Sequence, residues 1–241
     1  MVHTLEHFPE DWSRALVVVA HPDDMEYGGA SAVARWTDEG KDVRYLLVTA
    51  GEAGIASMAP AEVGPLRMEE QRQSCAAVGV DHVEFLDHAD GLVVADHALR
   101  RDLAAAIRRH RPDIVVSINF REDFGGPGWN HVDHREVGVA LLDAVRDAAN
   151  PWVFTELAAD GLDAWDGVSF AAFAGSPRAT HGVDVTDHLE RGIESLRRHA
   201  VYLANLGGDM ADPDSFLRRM ATAGGDALGV QYASTFEVIP L

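Results

Sequence analysis

Residues 15–24 read ALVVVAHPDD, and this stretch decides the architecture of the chain. The run ALVVVA is short, apolar and rich in β-branched residues, which favours a buried strand. It ends at one imidazole and two carboxylates, those of His21, Asp23 and Asp24. In an open parallel sheet, ligands bind beyond the carboxyl ends of the strands. The stretch therefore predicts a buried strand whose polar exit lies in a ligand-binding crevice.

The rest of the first half alternates short apolar runs with longer amphipathic segments, which is typical of parallel strands joined by crossover helices. We predict an α/β fold, a Rossmann-like three-layer sandwich with a mostly parallel sheet and helices on both faces. The predicted strands are 15–20, 43–49, 82–86, 113–119 and 152–157. The predicted helices are 30–39, 65–78, 97–110 and 133–149, with Gly40 and Gly79 at two of the helix ends.

The last third is less regular. Its pattern predicts a strand at 168–174, a helix at 187–206, a helix at 212–228 with Asp212 as the N-cap before Pro213, and a closing strand at 235–239. No internal repeat or flexible linker divides the chain. We expect residues 1–241 to form a single domain, with a Rossmann-like core at about 15–157 and a C-terminal elaboration at about 158–241.

Charge and cysteine content narrow the function classes. The 39 acidic and 20 basic residues give a net charge of −19, which repels phosphate backbones and anionic lipids and so excludes nucleic acid and membrane as expected partners. No apolar run approaches the ~20 residues that span a bilayer, and the opening segment is unlike a signal peptide. Cys75 is the single cysteine, so disulfides and cysteine zinc sites are excluded and burial of this thiol is expected. These features predict a soluble, cytoplasmic protein.

A second polar cluster, His131, Asp133 and His134, follows the fourth predicted strand and the loop REDFGGPGWN at 121–130. Residues three apart on a helical turn face the same side, so both imidazoles can line one cavity. A catalytic zinc site needs three protein ligands and one open position, and His21 with Asp24 supplies two suitable ligands. The alternatives are that the carboxylates cap helices and that the histidines are ordinary surface residues.

HPDDMEYGG at 21–29 and HVDH at 131–134 together resemble the LmbE-like family of metal-dependent N-deacetylases, which is related to the N-acetylglucosaminyl-phosphatidylinositol de-N-acetylase. The resemblance extends to TAGEAG at 49–54, RMEEQRQSCAAVGV at 67–80, DG at 90–91, RPDIVV at 111–116 and VDVT at 183–186. It implies a hydrolase that removes an N-acetyl group from an amino sugar or a glycosylated small metabolite. Related enzymes often form homo-oligomers, and the sequence leaves the oligomeric state open.

The resemblance also implies roles for five residues. It assigns His21, Asp24 and His134 to the metal, which is usually zinc, with Fe²⁺ as the alternative. It makes Asp23 the general base and His131 the stabiliser of the oxyanion or the proton donor. The sequence does not decide whether Asp23 or His131 protonates the leaving amine.

Two further residues have two interpretations each. Asp133 either orients one imidazole of the site or caps the following helix. Arg67 occupies the position of an arginine that the family places near substrate, or it forms a surface ion pair with Glu69 or Glu70.

Glu26 and Glu52 either meet substrate hydroxyls or face solvent. Trp129 stands where mycothiol-pathway deacetylases carry a tyrosine, and we expect it to stack on a sugar or to shape the acyl pocket. His199 matches a family histidine near the end of the C-terminal helix and is a secondary candidate.

Three other functions compete with N-deacetylation. An amidase for a larger acyl or thiol conjugate would use the same metal residues. A non-catalytic metal- or sugar-binding module would keep the ligands without turnover, which the presence of Asp23 and His131 disfavours. A nucleotide-binding Rossmann domain is disfavoured by the absence of GxGxxG at 21–29 and by the net charge of −19.

Overall fold

Residues 4–241, which the computed structural model describes, form eight strands and eight α-helices. The strands are Glu6–His7 (β1), Arg14–Val19 (β2), Asp42–Leu47 (β3), Val83–Phe85 (β4), Ile114–Ile118 (β5), Phe170–Ala174 (β6), His181–Asp184 (β7) and Ala233–Pro240 (β8). The helices are Ala30–Asp38 (α1), Pro60–Ala77 (α2), His97–His110 (α3), Val132–Ala149 (α4), Glu156–Ala159 (α5), Leu189–Arg197 (α6), Ala200–Ala204 (α7) and Pro213–Leu228 (α8).

All eight strands join one sheet in the order β1-β7-β8-β6-β5-β2-β3-β4. Among the described strands, β8 alone runs antiparallel to its neighbours. The chain moves from β2 outward to β3 and β4, and then returns to place β5 on the other side of β2. The order of strands therefore reverses between β2 and β5, and a crevice opens there at the carboxyl ends of the two strands.

The alternating side chains of β2 supply both faces of the sheet. Val17 and Val19 pack into the core that includes residues of α1 and α2. Leu16 and Val18 pack into the core on the opposite face, which includes residues of α3 and α4. A strand buried on both sides needs an unbroken apolar run, as the sequence of β2 has. The predicted mostly parallel α/β sandwich with helices on both faces is confirmed.

The predicted strand at 152–157 is wrong. Residues 151–155 form a turn that leads into α5, and Trp152 is 83% exposed. The buried guanidinium of Arg108 donates hydrogen bonds to the carbonyl oxygens of Asn150 and Val153. These carbonyl groups are therefore turned toward Arg108 and cannot join a sheet ladder. The strand beside β5 is β6, which confirms the strand predicted at 168–174 apart from its first two residues.

The elements assigned from the sequence differ from the structure in three further places. Helix α2 begins at Pro60 and contains Pro65, where the sequence predicted the first residue. The helix predicted at 187–206 is two helices, α6 and α7, separated by Arg198 and by His199, whose ψ is 48°. The short strands β1 and β7 had not been predicted.

The predicted signals at helix ends are confirmed. Gly40 and Gly79 follow α1 and α2 with φ of 83° and 79°. The side chain of Asp212 accepts a hydrogen bond from the amide of Ser215 at the start of α8. The single thiol, Cys75, is buried as expected.

A group of basic and acidic side chains connects β3, β4 and α3 at the lateral edge of the sheet that β4 forms. His110 accepts a hydrogen bond on Nδ1 from Arg44, 3.2 Å away. The neutral ring must then carry its proton on Nε2, which lies 2.9 Å from the Glu84 carboxylate. The Glu84 carboxylate also lies 2.8 Å from Nε2 of His82 and 2.9 Å from Nη1 of Arg109, in contact with both. A cation on Nε2 of His110 would have to displace this proton, so the group fits a structural role.

Burial lowers the pKa of His110 below its usual value, and the nearby Arg44, His82 and Arg109 add to this effect, while Glu84 opposes it. The unfolded chain therefore takes up a proton at higher pH than the folded chain, starting near the ordinary histidine pKa of about 6.5. The stabilising effect of neutral His110 is complete above that pH and is lost as the pH falls toward the lowered folded value.

We expect His110→Gln to flatten the dependence of the unfolding free energy on pH below about 6.5, because glutamine does not titrate. Urea unfolding at a series of pH values measures this slope. His97→Gln replaces an exposed histidine at the other end of α3 and should leave the slope unchanged. An unaltered slope in His110→Gln would contradict this interpretation.

Candidate metal centre

The predicted site residues come from two loops at the crevice between β2 and β5. His21, Asp23 and Asp24 follow β2 directly, and His131, Asp133 and His134 begin α4 after the loop that leaves β5. Strands β2 and β5 are paired in the sheet, from Ala15 opposite Ile114 onward. Segments more than a hundred residues apart therefore meet at one edge of the sheet.

The turn after β2 sends its two consecutive carboxylates in different directions. Asp23 has a φ of 78°, which is left-handed and costs a non-glycine residue about 1–2 kcal/mol. The carbonyl oxygen of Asp23 accepts the amide of Glu26 at 3.1 Å, and the Asp24 carboxylate accepts the amide of His21 at 2.8 Å. These bonds close the turn, so that the carboxylate of Asp24 faces the histidines and that of Asp23 faces Arg67 on α2.

Three ligand atoms converge in the crevice. Nδ1 of His21 lies 3.2 Å from Nε2 of His134, and Oδ1 of Asp24 lies 3.0 Å from Nε2 of His134 and 3.5 Å from Nδ1 of His21. In a tetrahedral zinc site with bonds of ~2.0–2.1 Å, ligand atoms stand roughly 3.3 Å apart. The two imidazoles and the carboxylate therefore have the chemistry and the spacing that such a cation requires.

The second nitrogen of each imidazole is held by an oxygen acceptor. Nε2 of His21 lies 3.0 Å from Asp133 and 3.1 Å from Asp90. Nδ1 of His134 lies 2.9 Å from Oδ1 of Asn130. Protons on these outer nitrogens leave the lone pairs of the inner nitrogens directed toward one another and toward Asp24. A cation is the partner that satisfies three acceptors at such distances.

The carboxylate of Asp133 is fully buried and anchors the loop before α3. It accepts hydrogen bonds from the amides of Gly91 at 2.7 Å and Val93 at 3.1 Å, besides facing His21. Its backbone hydrogen-bond partners in the described residues belong to this loop and not to the start of α4. The contact between Asp133 and Nε2 of His21 is the one that the predicted role in orienting an imidazole requires.

Electrostatics favour the ionised form of Asp24. Burial raises the pKa of this carboxyl, but the imidazoles of His134 and His21 outweigh that effect and hold it well below its usual range. A carboxyl that stays ionised is the form that ligates a metal.

His131 lies at the mouth of the crevice as the N-cap of α4. Its Nδ1 accepts the amide of Asp133 at 3.2 Å, so the neutral ring carries its proton on Nε2. Its ring lies 5.1 Å from the His21 ring and 5.4 Å from the His134 ring, centroid to centroid. Burial lowers the pKa of His131, and the neighbouring His21 ring acts in the same direction. It can thus act as a neutral hydrogen-bond donor beside the three converging ligand atoms.

Asp23 forms a buried ion pair with Arg67. The guanidinium also donates to the carbonyl oxygens of Pro22 at 2.6 Å and Gly51 at 3.0 Å, and the Tyr202 ring stacks on it at 4.0 Å. Burial raises the pKa of Asp23 to about 7, although Arg67 acts in the opposite direction. The structure therefore pairs Arg67 with Asp23, and the predicted surface ion pair with Glu69 or Glu70 is not formed.

The remaining predicted substrate residues differ in their access to solvent. Glu26 is 1% exposed, and its carboxylate accepts hydrogen bonds from Gln71 and Ser74 beneath the turn, so it meets neither substrate nor solvent here. Glu52 accepts the amide of Asp90 at 2.9 Å and ties two rim loops together. Trp129 is 68% exposed.

Sequence reasoning assigned no role to Asn130, Asp90, Gln71 or Tyr202, which all contact site residues. Asn130 is 1% exposed, and its amide donates to the carbonyl oxygens of Asn119 and Arg121. Its place directly before His131 was the available signal. Asp90 lies in the DG pair and Gln71 in the stretch at 67–80, both already noted for the resemblance, whereas Tyr202 had been given no role.

Over residues 4–241, no helix is long and apolar enough to cross a membrane.

Comparisons with known proteins identify relatives over most of the chain. The family model "PIG-L: GlcNAc-PI de-N-acetylase" matches residues 16–145. The diacetylchitobiose deacetylase of Thermococcus kodakarensis is 28% identical over 232 residues, which cover 95% of this chain and 84% of that protein. The 1D-myo-inositol 2-acetamido-2-deoxy-alpha-D-glucopyranoside deacetylase of Thermomonospora curvata is 26% identical over 270 residues, with 91% and 89% covered.

A solved structure agrees with these relatives. N,N'-diacetylchitobiose deacetylase from Pyrococcus horikoshii, complexed with an inhibitor, superimposes with a TM-score of 0.86 at 26% identity. The match covers 95% of this chain and 85% of that chain. The α/β fold of this chain is therefore similar to that of a known deacetylase structure.

Gly51 offers a test of how tightly Arg67 is held. A Cβ at Gly51 would lie 2.3 Å from Arg67 Nη1 and 2.9 Å from Pro22 Cδ, whereas a Cβ at Gly40 would meet nothing within 4 Å. Both glycines have positive φ, 66° and 83°. We expect Gly40→Ala to cost about 1 kcal/mol from backbone strain and Gly51→Ala to cost at least about twice as much. Equal losses in urea unfolding would show that Arg67 yields freely.

Proposed function

The chain belongs to the PIG-L family, GlcNAc-PI de-N-acetylase, and from this we propose that it is a metal-dependent hydrolase that removes the N-acetyl group from an amino sugar or a glycosylated small metabolite. The observation that carries the proposal is the convergence of His21, Asp24 and His134 within 3.5 Å of one another at the crevice. The family and the relatives indicate that the reaction is a deacetylation, and the site residues are the chemical groups that such a reaction needs.

We propose His21, Asp24 and His134 as the metal ligands and zinc as the metal. Two imidazoles and one carboxylate, with no cysteine, form a usual donor set of catalytic zinc. The same donor set binds Fe²⁺ in other enzymes, so Fe²⁺ is the alternative. When bound, zinc acts as a Lewis acid that makes water a usable nucleophile near neutral pH and polarises a carbonyl group.

Asp23 is proposed as the general base that removes a proton from the attacking water. Its raised pKa of about 7 suits proton transfer near neutral pH, and the Arg67 ion pair keeps the carboxylate in one orientation. Arg67 is thus proposed as a positioning residue, and Glu26, enclosed beneath the turn, is not retained as a substrate contact.

His131 is proposed to donate a hydrogen bond from Nε2 to the oxyanion that forms when water attacks the amide carbonyl. Its Nδ1 is already engaged by the amide of Asp133, which leaves the Nε2 proton for the substrate. Cleavage of the C–N bond then needs a proton on the amine, which comes from Asp23 or from His131. Asp133 and Asn130 are proposed to orient His21 and His134.

Substrate recognition is assigned to the rim of the crevice. Trp129 is proposed to stack on a sugar ring, and Glu52 to hold the rim through Asp90. Strands β6, β7 and β8 continue the sheet of the first half, which supports the proposal of a single domain for the described residues 4–241. The single buried thiol of Cys75 supports the proposed cytoplasmic location.

Release of acetate tests the function directly. The zinc-loaded protein would be incubated with N-acetylglucosamine, N,N'-diacetylchitobiose and a GlcNAc-inositol conjugate, and with N-butanoyl analogues of each. We expect acetate from at least one N-acetylated sugar. Faster turnover of the longer acyl groups would favour the larger-acyl amidase, and binding without turnover of any substrate would favour a binding module.

The division of roles predicts opposite effects of two substitutions. His134→Ala should lose both the bound zinc and the activity. Asp23→Asn should keep about one zinc per chain while kcat falls by about 10²–10⁴-fold, since asparagine tolerates left-handed φ but removes no proton. Elemental analysis and initial rates measure both. The same zinc loss in the two variants would refute this division.

Trp129 should contribute mainly to binding. We expect Trp129→Ala to raise KM about 3- to 10-fold with kcat nearly unchanged, which corresponds to the loss of one stacking contact. Trp152→Ala is the matched control, because Trp152 is exposed on the loop after α4, away from the crevice. An unchanged KM in Trp129→Ala would remove this residue from the substrate site.

A further inference from the structure

Beneath the turn that carries the proposed base lies a buried side chain with no assigned role, Gln71. It is 0% exposed and lies on α2, four residues after Arg67. Residues four apart share one face of a helix. Helix α2 therefore presents two consecutive turns of one face to the same residue, Asp23.

The two contacts to Asp23 are complementary. Arg67 binds the carboxylate of Asp23, and Oε1 of Gln71 accepts a hydrogen bond from its backbone amide at 3.0 Å. Asp23 is 5% exposed, and the hydrogen bond from its amide to Gln71 is buried, so water does not reach this amide. A buried amide needs an acceptor, and Gln71 supplies one at this position.

The orientation of the Gln71 amide is set from its other side. Its Nε2 donates to Oε1 of Glu26 at 2.8 Å and to Sγ of Cys75 at 3.3 Å. Ser74 donates to the same Glu26 oxygen at 2.7 Å. A carboxylate only accepts hydrogen bonds, so the amino group of Gln71 must face Glu26 and its oxygen must face Asp23. The buried Glu26 thus selects the one orientation of Gln71 that supports Asp23.

We propose that Gln71 is a positioning residue, which holds Asp23 in its left-handed conformation so that the carboxylate is presented to the reaction. The inference rests on the proposed role of Asp23 as the general base. It also assigns Glu26 a purpose: Glu26 acts through Gln71 and makes no contact with substrate.

Gln71→Met tests the proposal, because methionine has nearly the same length and shape but neither accepts from Asp23 nor donates to Glu26 effectively. Gln73→Met is the matched control, since Gln73 is exposed on the same helix and contacts only Glu69 in the hydrogen bonds described. The readouts are kcat, KM and bound zinc, with the best substrate of the acetate-release panel. We expect Gln71→Met to lower kcat about 10- to 100-fold, with KM within about threefold and one zinc retained.

A double-mutant cycle separates positioning from general loss of structure. In the Asp23→Asn background, the residual turnover no longer depends on the base, so adding Gln71→Met should lower it less than about threefold. Gln71→Asn keeps an amide in the polar pocket but is one methylene too short to bridge both partners. It should reproduce the loss of kcat if Gln71→Met does not fold.

Several results would overturn the proposal. One is a wild-type kcat in Gln71→Met, and another is a loss of zinc in proportion to the loss of activity. A third is the same fold-change in turnover on adding Gln71→Met to the wild-type and to the Asp23→Asn protein. Each of these leaves the proposed function intact, because the unaltered protein still releases acetate. Failure of the unaltered protein to release acetate would instead refute the proposed function itself.

Discussion

The site depends on one electrostatic constraint: three acceptor atoms, from two imidazoles and one carboxylate, lie 3.0–3.5 Å apart. Lone pairs directed at one another repel unless a proton or a cation lies between them. Asp133 and Asn130 engage the outer nitrogens of His21 and His134, and this directs the inner nitrogens at the centre. The reversal of strand order between β2 and β5 brings the two loops together, and cation binding should in turn stabilise the fold.

The turn after β2 buries two consecutive carboxylates, and each has a different partner. Asp24 lies beside the imidazoles of His134 and His21 and stays ionised, whereas Asp23 is held by Arg67 and has its pKa raised by burial. The left-handed φ of Asp23 makes this separation possible. Helix α2 supports the strained residue from below, and so a helix that supplies no proposed metal ligand still contributes to the chemistry.

Much of this could be predicted from local sequence. The apolar run of β2 predicted a buried strand, and the polar residues at its exit predicted the crevice. The resemblance pointed to the ligands that the structure brings together. Predictions failed where a distant side chain overrides local propensity. Arg108 donates hydrogen bonds to the carbonyl groups of residues 150 and 153, and these residues do not form a strand. Glu26 and Arg67 are buried through the packing of α2, and this packing cannot be read from a local sequence pattern.

X-ray absorption at the zinc edge of the protein loaded with one equivalent of zinc tests the central claim most directly. The account predicts two imidazole nitrogens and light oxygen donors at about 2.0–2.1 Å, and no such signal from His134→Ala after the same zinc loading and removal of free zinc. A zinc environment without imidazole, or one unchanged by that substitution, would contradict it.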